Sequence, residues 1–248
     1  MLPADLGPGV VAGFTTRVGG VSRGPWEGLD LGLHVGDDPA DVTRNRALVG
    51  QWAGAPVSFA RQVHGTAAGV VDTVPAFDRT GDLFAAEGRD ALVTARAAVP
   101  LGVLVADCVP VLLADPQAGV VATAHAGRRG LLDGVLQAAV RRMVELGARP
   151  VSVRAALGPC AGPCCYEVPQ EMRSQACAVL PALHATTREG TPALDLRAGC
   201  RQALAGVGVD RVDDVGGCTV EDPELYSYRR SAVTGRFAGV VHLLAGSA

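Results

Sequence analysis

The sequence predicts an α+β fold, with layered mixed β-sheets flanked by helices, in a single domain over residues 1–248. Short β-rich runs alternate with a few helical patterns, but without the strict strand–helix–strand order of a doubly wound sheet. Hydrophobic residues make up 48% of the chain and charged residues 19%, so 248 residues can bury a large core. No repeat or Pro/Ser-rich linker divides the chain, which favours one domain.

The apolar pattern then assigns the individual elements. The stretch 131–146 places apolar residues three and four positions apart, as an amphipathic helix does, and Gly147 is expected to end it. The turn signal "DPQAG" joins two apolar runs into a hairpin. We predict helices at 41–53, 131–146, 169–180 and 196–205, and strands at 101–105, 109–114, 120–124, 151–157, 209–212 and 236–243.

Charge and hydropathy exclude several classes of function. The formal net charge is −3 and no basic stripe with interleaved aromatic residues occurs, so no nucleic-acid partner is expected. The most apolar segment, 97–113, is interrupted by Asp107 and two prolines, so no membrane partner is expected either. The N-terminus lacks the pattern of a signal peptide. We therefore expect a soluble, cytoplasmic protein; no motif indicates its oligomeric state.

Cys108 and His125 are predicted to converge across the hairpin. Cys108 lies about nine residues before the turn and His125 about seven after it, so antiparallel pairing sets them side by side. With the acidic Asp107 adjacent, the pair suits two kinds of chemistry, metal ligation or a thiolate nucleophile with its base. A buried inert thiol and a structural histidine are the plainer interpretation. The seven cysteines, an odd number, favour reduced thiols over a disulfide framework.

His64 is the candidate third ligand. It shares with His125 a short preceding apolar run and a following glycine, in "RQVHGT" and "ATAHAG". Catalytic zinc commonly keeps three protein ligands and leaves a fourth position for water or substrate. His64, Cys108 and His125 therefore form a candidate zinc set.

Two further segments carry weaker signals. Arg128 and Arg129 lie between two glycines just before the predicted helix at 131, where an anion such as phosphate is favoured; a solvated cationic turn is the alternative. The cysteines of "LGPCAGPCCYEV" do not have the spacing of structural zinc pairs, so we predict a tight loop near the pocket and no metal. "YSYRRSAVTGR" suits a substrate rim or a solvated hairpin.

Taken together, these segments resemble the laccase-domain family, also called YfiH-like, whose members are described as polyphenol oxidases, purine nucleoside phosphorylases or peptidoglycan editing factors. The resemblance runs nearly end to end, through residues 14–49, "QVHG", "DALVT", "LGVLVADCVPVLLAD", "HAGRRG", "LGPCAGPCCYEV", Asp195, "YSYRR" and "TGR". One position departs from it: the family usually has tryptophan where Arg128 stands.

The resemblance implies a zinc site at His64, Cys108 and His125, with copper as the alternative metal, in a fold related to cysteine hydrolase-like toxins. It also implies phosphorolysis of purine nucleosides (adenosine, inosine and S-methyl-5'-thioadenosine), with adenosine deamination as a further activity. Nucleoside and phosphate are then the partners. We assign Arg46, Gln62 and Arg129 to substrate binding.

Three alternatives remain open. One is an amidase that edits peptidoglycan precursors, with Cys108 as nucleophile and His125 as base. Another is a copper-dependent polyphenol oxidase, although five histidines without His-x-His pairs suit a multicopper cluster poorly. The last is a binding module without catalysis, which would be favoured if the three proposed ligands lay far apart.

Overall fold

The computed structural model describes residues 1–73 and 84–245. This part of the chain contains fourteen strands and five α-helices. The strands are Leu2–Pro3 (β1), Val10–Phe14 (β2), Phe59–Arg61 (β3), Ala68–Val70 (β4), Phe84–Glu87 (β5), Ala91–Thr94 (β6), Leu101–Val105 (β7), Val109–Asp115 (β8), Val120–Ala126 (β9), Arg154–Leu157 (β10), His184–Thr186 (β11), Pro192–Leu194 (β12), Arg211–Asp214 (β13) and Phe237–Leu243 (β14). The helices are Pro39–Ala53 (α1), Arg128–Asp133 (α2), Val135–Glu145 (α3), Gln170–Val179 (α4) and Leu196–Ala205 (α5).

Two sheets form the centre of the molecule. The larger has the order β13-β10-β8-β9-β6-β4 and is mixed, because β10–β13 and β4–β6 are parallel pairs and the other pairs are antiparallel. The smaller has the order β1-β2-β14-β7 and is antiparallel throughout. The predicted α+β fold with mixed sheets is therefore confirmed.

Alternation along β8 shows how the layers pack. Val111 and Leu113 join a cluster with residues of α3 and α5, whereas Leu112 and Ala114 join a cluster with the smaller sheet. The other face of the smaller sheet packs on α1. The order of layers is helices, large sheet, small sheet, helix, so both faces of both sheets are covered.

The β8–β9 hairpin forms as predicted. Asp115 pairs with Val120 at its closed end and Pro110 pairs with His125 near its open end. The buried Asp115 carboxylate closes the turn, because it accepts backbone N–H groups from Gln117 and Ala118, and from Arg149 on a following segment. The hairpin thus fixes the strand that carries His125 relative to the segment that carries Cys108.

Two local predictions need correction, and one strand was not predicted. The single helix predicted at 131–146 is two helices, since it begins at Arg128 and breaks at Gly134, whose φ of 99° is left-handed. The strand predicted from 151 begins only at Arg154, because Pro150–Ser152 form a 3₁₀ turn. No pattern predicted β2, although it lies in the middle of the smaller sheet.

Within residues 1–73 and 84–245, none of the helices combines the length and the apolar character that crossing a membrane requires.

Candidate metal and active site

The structure brings His64, Cys108 and His125 together. His64 lies after β3, Cys108 lies between β7 and β8, and His125 lies in β9. One ligand atom from each falls within 4.8 Å of the others, and Cys108 Sγ is 3.9 Å from His64 Nε2. The two imidazole rings meet edge to face, with centroids 4.6 Å apart. The chain therefore carries a candidate metal site of two imidazoles and one thiol.

Asp90 organises two of these ligands, and sequence reasoning missed it. Its buried carboxylate lies just before β6, where one oxygen accepts the His64 N–H at 2.9 Å and bonds His125 Nδ1 at 2.8 Å. The other oxygen accepts N–H groups of Val63 and Gly65. Asp90 thus holds the loop, which has a left-handed φ of 58° at His64, and leaves Nε2 of His125 for a metal. The sequence signal that could have identified Asp90 is its position directly before the apolar run in "DALVT".

The charges in this cluster favour a thiolate. Burial raises the pKa of the Cys108 thiol, but His125 and His64 outweigh it and lower that pKa to about 6. Burial opposes a charge on His125, yet Cys108 and Asp90 raise its pKa to about 9. Burial also opposes the charge on Asp90, and the bonds from His125, Gly65 and Val63 lower its pKa below the usual range. The thiolate is the form of cysteine that binds metals and attacks electrophiles.

The donor set fits a metal ion. Three nitrogen and sulfur ligands on a partly open site match the arrangement that catalytic zinc uses, with a fourth position free for substrate. The same donors suit copper, so the set alone does not decide between the two metals. Gly127 supports this fit, because a Cβ there would lie 2.9 Å from Cys108 Sγ and 3.0 Å from His64 Cδ2.

A cavity of about 910 Å³ opens beside the three ligands. Besides His64 and His125, its wall contains a third histidine, His34, and three arginines, Arg61, Arg229 and Arg236. Tyr166 also lines it and lies under the Arg229 guanidinium, 4.4 Å from ring centroid to carbon. The predicted rim segment "YSYRRSAVTGR" therefore contributes Arg229 and Arg236 to the cavity. His34 and Tyr166 were not singled out from the sequence.

Comparisons with known proteins decide the family. The model of the family described as multi-copper polyphenol oxidoreductase laccase matches residues 11–244. The chain belongs to this laccase family. The resemblance noted from the sequence motifs is confirmed, and the match extends over nearly the whole chain.

Similar proteins of this laccase family carry a second description. A purine nucleoside phosphorylase of Streptomyces coelicolor is 50% identical over 242 residues, which are 96% of this chain and 98% of that one. The purine nucleoside phosphorylase YfiH of Shigella flexneri is 36% identical, with 96% of each chain covered. Among solved structures, protein NMB0706 of Neisseria meningitidis superposes with a TM-score of 0.86 at 36% identity, covering 98% of this chain and 99% of the other. YlmD of Geobacillus stearothermophilus gives 0.87 at 34% identity, covering 96% and 93%.

Of the three residues assigned to substrate binding, only Gln62 borders this cavity in the described part of the laccase-family chain. Both ends of its amide bind the Leu104 backbone, at 2.8 and 2.9 Å. Arg46 is buried beneath the cavity wall, where its Nε donates to the Leu31 carbonyl. Arg129 is 74% exposed at its side chain and pairs with Asp133 at 3.7 Å. Their contacts with substrate stay predictions.

Arg128, at the position where the family usually has tryptophan, is only half-buried. Burial and the charge of Cys108 raise the pKa of the Tyr166 hydroxyl, and the charges of Arg229 and Arg128 act against this rise. Arg128 therefore lies beside a residue of the cavity wall, whereas Arg129 points into solvent. The helix they begin, α2, is only six residues long.

Asp30 is a buried carboxyl group that accepts the Arg236 backbone N–H, and it makes the stability of the fold depend on pH. Burial raises its pKa from 3.8 to about 7; the charge of Asp37 acts in the same direction, and backbone bonds from Gly32 and Arg236 act against it. The folded state therefore holds a proton that the unfolded chain releases, so the free energy of unfolding falls as pH rises from about 4 to about 7. Asp30→Asn should flatten this fall in urea unfolding measured across that range. The exposed Asp210→Asn should leave it unchanged, and equal pH profiles of wild type and Asp30→Asn would contradict the prediction.

Proposed function

We propose that this chain is a zinc-dependent purine nucleoside phosphorylase that acts on adenosine, inosine and S-methyl-5'-thioadenosine and also deaminates adenosine. One observation carries the proposal: a single cavity joins the His64, Cys108 and His125 cluster to a wall of three arginines. A nucleoside and an anionic nucleophile need such a combination in one place. The names of the similar proteins from Streptomyces coelicolor and Shigella flexneri support the same activity.

The size and lining of the cavity suit both substrates. A volume of about 910 Å³ is at the upper end of the range for small-molecule sites, enough for a nucleoside with phosphate beside it. Leu33, Ala60 and the ring of Tyr166 supply apolar surface for the purine. Arg61, Arg229 and Arg236 supply positive charge for phosphate.

The reaction exchanges one bond at the anomeric carbon. A phosphate oxygen forms the new bond to C1′, the C1′–N9 bond breaks, and the purine leaves with the proton that the attacking hydrogen phosphate gives up. The arginines hold phosphate on one side of the ribose and offset charge as the bond breaks. Burial, together with the charges of Arg236, Arg46 and Arg61, lowers the pKa of His34, so this neutral imidazole can hydrogen-bond the purine or ribose.

A zinc ion held by His64, Cys108 and His125 would supply Lewis acidity to this cavity. The chain's own contribution is to keep His64 and His125 in place through Asp90. Because deamination of adenosine needs an activated water at the same purine, it requires no second cavity. The proposal keeps the assignment of three residues to substrate binding. Gln62 borders the cavity, whereas Arg46 and Arg129 lie outside its lining.

The test is product analysis with purified protein. We expect adenosine with phosphate to give adenine and ribose 1-phosphate, and adenosine without phosphate to give inosine only. The reason is that phosphorolysis consumes phosphate, whereas deamination does not need it. Chromatography of both mixtures separates the products, with heat-inactivated protein as control. If no adenine, hypoxanthine or inosine forms in either mixture, the purine assignment is wrong.

A second candidate rests on the linked Cys108, His125 and Asp90. In the metal-free geometry these residues form a thiolate, an imidazole and an orienting carboxylate, which is the order of groups that thiol hydrolases use. An amidase acting on peptidoglycan precursors would attack the amide carbon with the thiolate, release the amine and hydrolyse the thioester with water.

Chelation and substitution separate the two candidates. For the proposed zinc enzyme we expect a chelator to abolish turnover of adenosine and added zinc to restore it, because the metal is then part of the site. The thiol mechanism predicts instead activity that survives chelation and disappears in Cys108→Ser. Rates with and without chelator, for wild type and this variant, distinguish the mechanisms; survival of purine turnover in metal-free protein would overturn the zinc assignment.

A further inference from the structure

A second group of metal-binding side chains lies outside the cavity. Cys164 and Cys165 come from the loop before α4, and Cys218 and Glu221 come from the loop after β13. One ligand atom from each of the four lies within 4.8 Å of the others. Cys164 Sγ is 3.3 Å from Cys165 Sγ and 3.5 Å from a Glu221 oxygen. All three thiols are free in this structure.

We infer that Cys164, Cys165, Cys218 and Glu221 form a structural zinc site, separate from the His64, Cys108 and His125 cluster. Structural zinc takes four protein ligands in a tetrahedron, mostly thiolates. At a zinc–sulfur distance of about 2.3 Å, the sulfur atoms of such a tetrahedron lie about 3.8 Å apart. The sulfur atoms of Cys164 and Cys165 are 3.3 Å apart and all four ligand atoms lie within 4.8 Å of one another, a range that includes this edge length.

The backbone on both sides is already folded for this arrangement. Cys165 and Tyr166 donate their N–H groups to the Gly162 carbonyl, and Glu221 and Asp222 donate theirs to the Cys218 carbonyl. These two turns present the ligands from two separate segments of the chain. Preformed turns lower the entropic cost of gathering four ligands.

Neighbouring groups complete the environment that a thiolate-rich site requires. The Gly162 N–H donates to Cys218 Sγ at 3.2 Å, a contact that supports a sulfur ligand. Arg188 forms an ion pair with Glu221. Three thiolates and a carboxylate around Zn²⁺ would leave two negative charges, and the guanidinium of Arg188 offsets one of them. The thiols are half-buried and Glu221 is exposed, so an ion can enter from solvent.

The inferred zinc site connects two segments that border the cavity. Tyr166, the residue after Cys165, lines the cavity, and the guanidinium of Arg230 donates to the carbonyls of Thr219 and Asp222 beside the other two ligands. Zinc here would join the loop that carries Tyr166 to the segment before Arg229 and Arg230. It would thus hold one wall of the cavity without contacting substrate.

Metal content tests this inference independently of any activity. Purified, reduced full-length chain is incubated with Zn²⁺, separated from free metal by gel filtration and measured by elemental analysis. We expect Cys218→Ser to bind one zinc equivalent fewer than wild type, while Cys177→Ser, a half-buried cysteine of α4 outside both clusters, binds as much as wild type. Co²⁺ titration in a Cys108→Ser background should still show intense sulfur-to-cobalt absorption, which Cys218→Ser then removes.

A milder variant guards against a folding artefact. Glu221→Gln keeps all three thiols and changes an exposed residue, so the fold should persist while the affinity for zinc falls about tenfold. Circular dichroism checks the fold of each variant. Zinc content and affinity that are unchanged in both Cys218→Ser and Glu221→Gln would overturn the inference. A disulfide among Cys164, Cys165 and Cys218 in zinc-loaded protein, found by peptide mass analysis without reductant, would overturn it as well.

Discussion

Asp90→Asn is expected to lower the affinity of the His64, Cys108 and His125 site for zinc by about 10- to 100-fold. The Asp90 carboxylate accepts two hydrogen bonds at each oxygen, three of them from backbone N–H groups and one from His125 Nδ1. In asparagine one oxygen becomes an NH₂ group, so two of the four donors face another donor. Whichever way the amide turns, a ligand-bearing segment loses its acceptor. Zinc competition with a chromophoric chelator measures the change.

The same substitution should also destabilise the fold, by about 3 kcal/mol, because buried donors lose their partners. Asp115→Asn is the matched control. Asp115 is also buried and also accepts three backbone N–H groups, but it lies at the closed end of the hairpin, away from the ligands. Asp115→Asn should lower the free energy of unfolding by about as much as Asp90→Asn does, and it should leave zinc affinity unchanged. Equal losses of zinc affinity in both variants would show that Asp90 acts only through global stability.

Gly127→Ala is expected to impair the same site by steric means. The backbone of Gly127 is extended, with φ −74° and ψ 162°, so alanine fits its conformation. Its methyl group would nevertheless lie 2.9 Å from Cys108 Sγ and 3.0 Å from His64 Cδ2, and both ligands would have to move. Displacement of reacting groups by about 1 Å costs about 100-fold in rate, so we expect a loss of that size in turnover of adenosine.

Gly206→Ala is the control for this prediction. Gly206 follows α5 with a right-handed helical backbone, and a Cβ there would lie 3.5 Å from the Gln202 and Ala203 carbonyls, an ordinary contact, in neither ligand cluster. Thermal unfolding followed by circular dichroism should show Gly127→Ala folded, because the clash is with side chains and not with backbone. Wild-type turnover in Gly127→Ala would mean that Cys108 and His64 have more freedom than their contacts suggest.

Local chemistry explains what the sequence predicted well. The hairpin follows from the turn residues 115–119 and from two apolar runs, so the approach of Cys108 to His125 could be inferred by counting along the strands. The helix at 196–205 was predicted with its observed limits, since Asp195 accepts the Ala198 N–H as a side-chain cap.

The features that the sequence did not predict depend on contacts between distant segments. Asp90 binds a loop 25 to 27 residues earlier and a strand 35 residues later, and neither spacing corresponds to a known motif. The same limit applies to the inferred second zinc site, because Cys218 and Glu221 are more than 50 residues away from Cys164 and Cys165. Spacing rules for zinc compare cysteines along the chain, so they gave no metal at this loop. A resemblance identifies the residue type at Arg129 but not the direction of its side chain, so its contact with substrate stays a prediction.

The positions of His125 and His64 differ in a way that bears on metal exchange. His125 lies within β9, a fully buried strand with partners on both sides, and its N–H donates to the Asp90 carbonyl at 2.7 Å. Amide groups of this kind open only when much of the domain unfolds. His64 lies on an exposed loop that one carboxylate secures. Local opening of that loop, at far lower free energy, releases one ligand while the other two stay in place. The loop that carries His64 would therefore set the lifetime of a bound ion, and the strand that carries His125 would set the position of that ion.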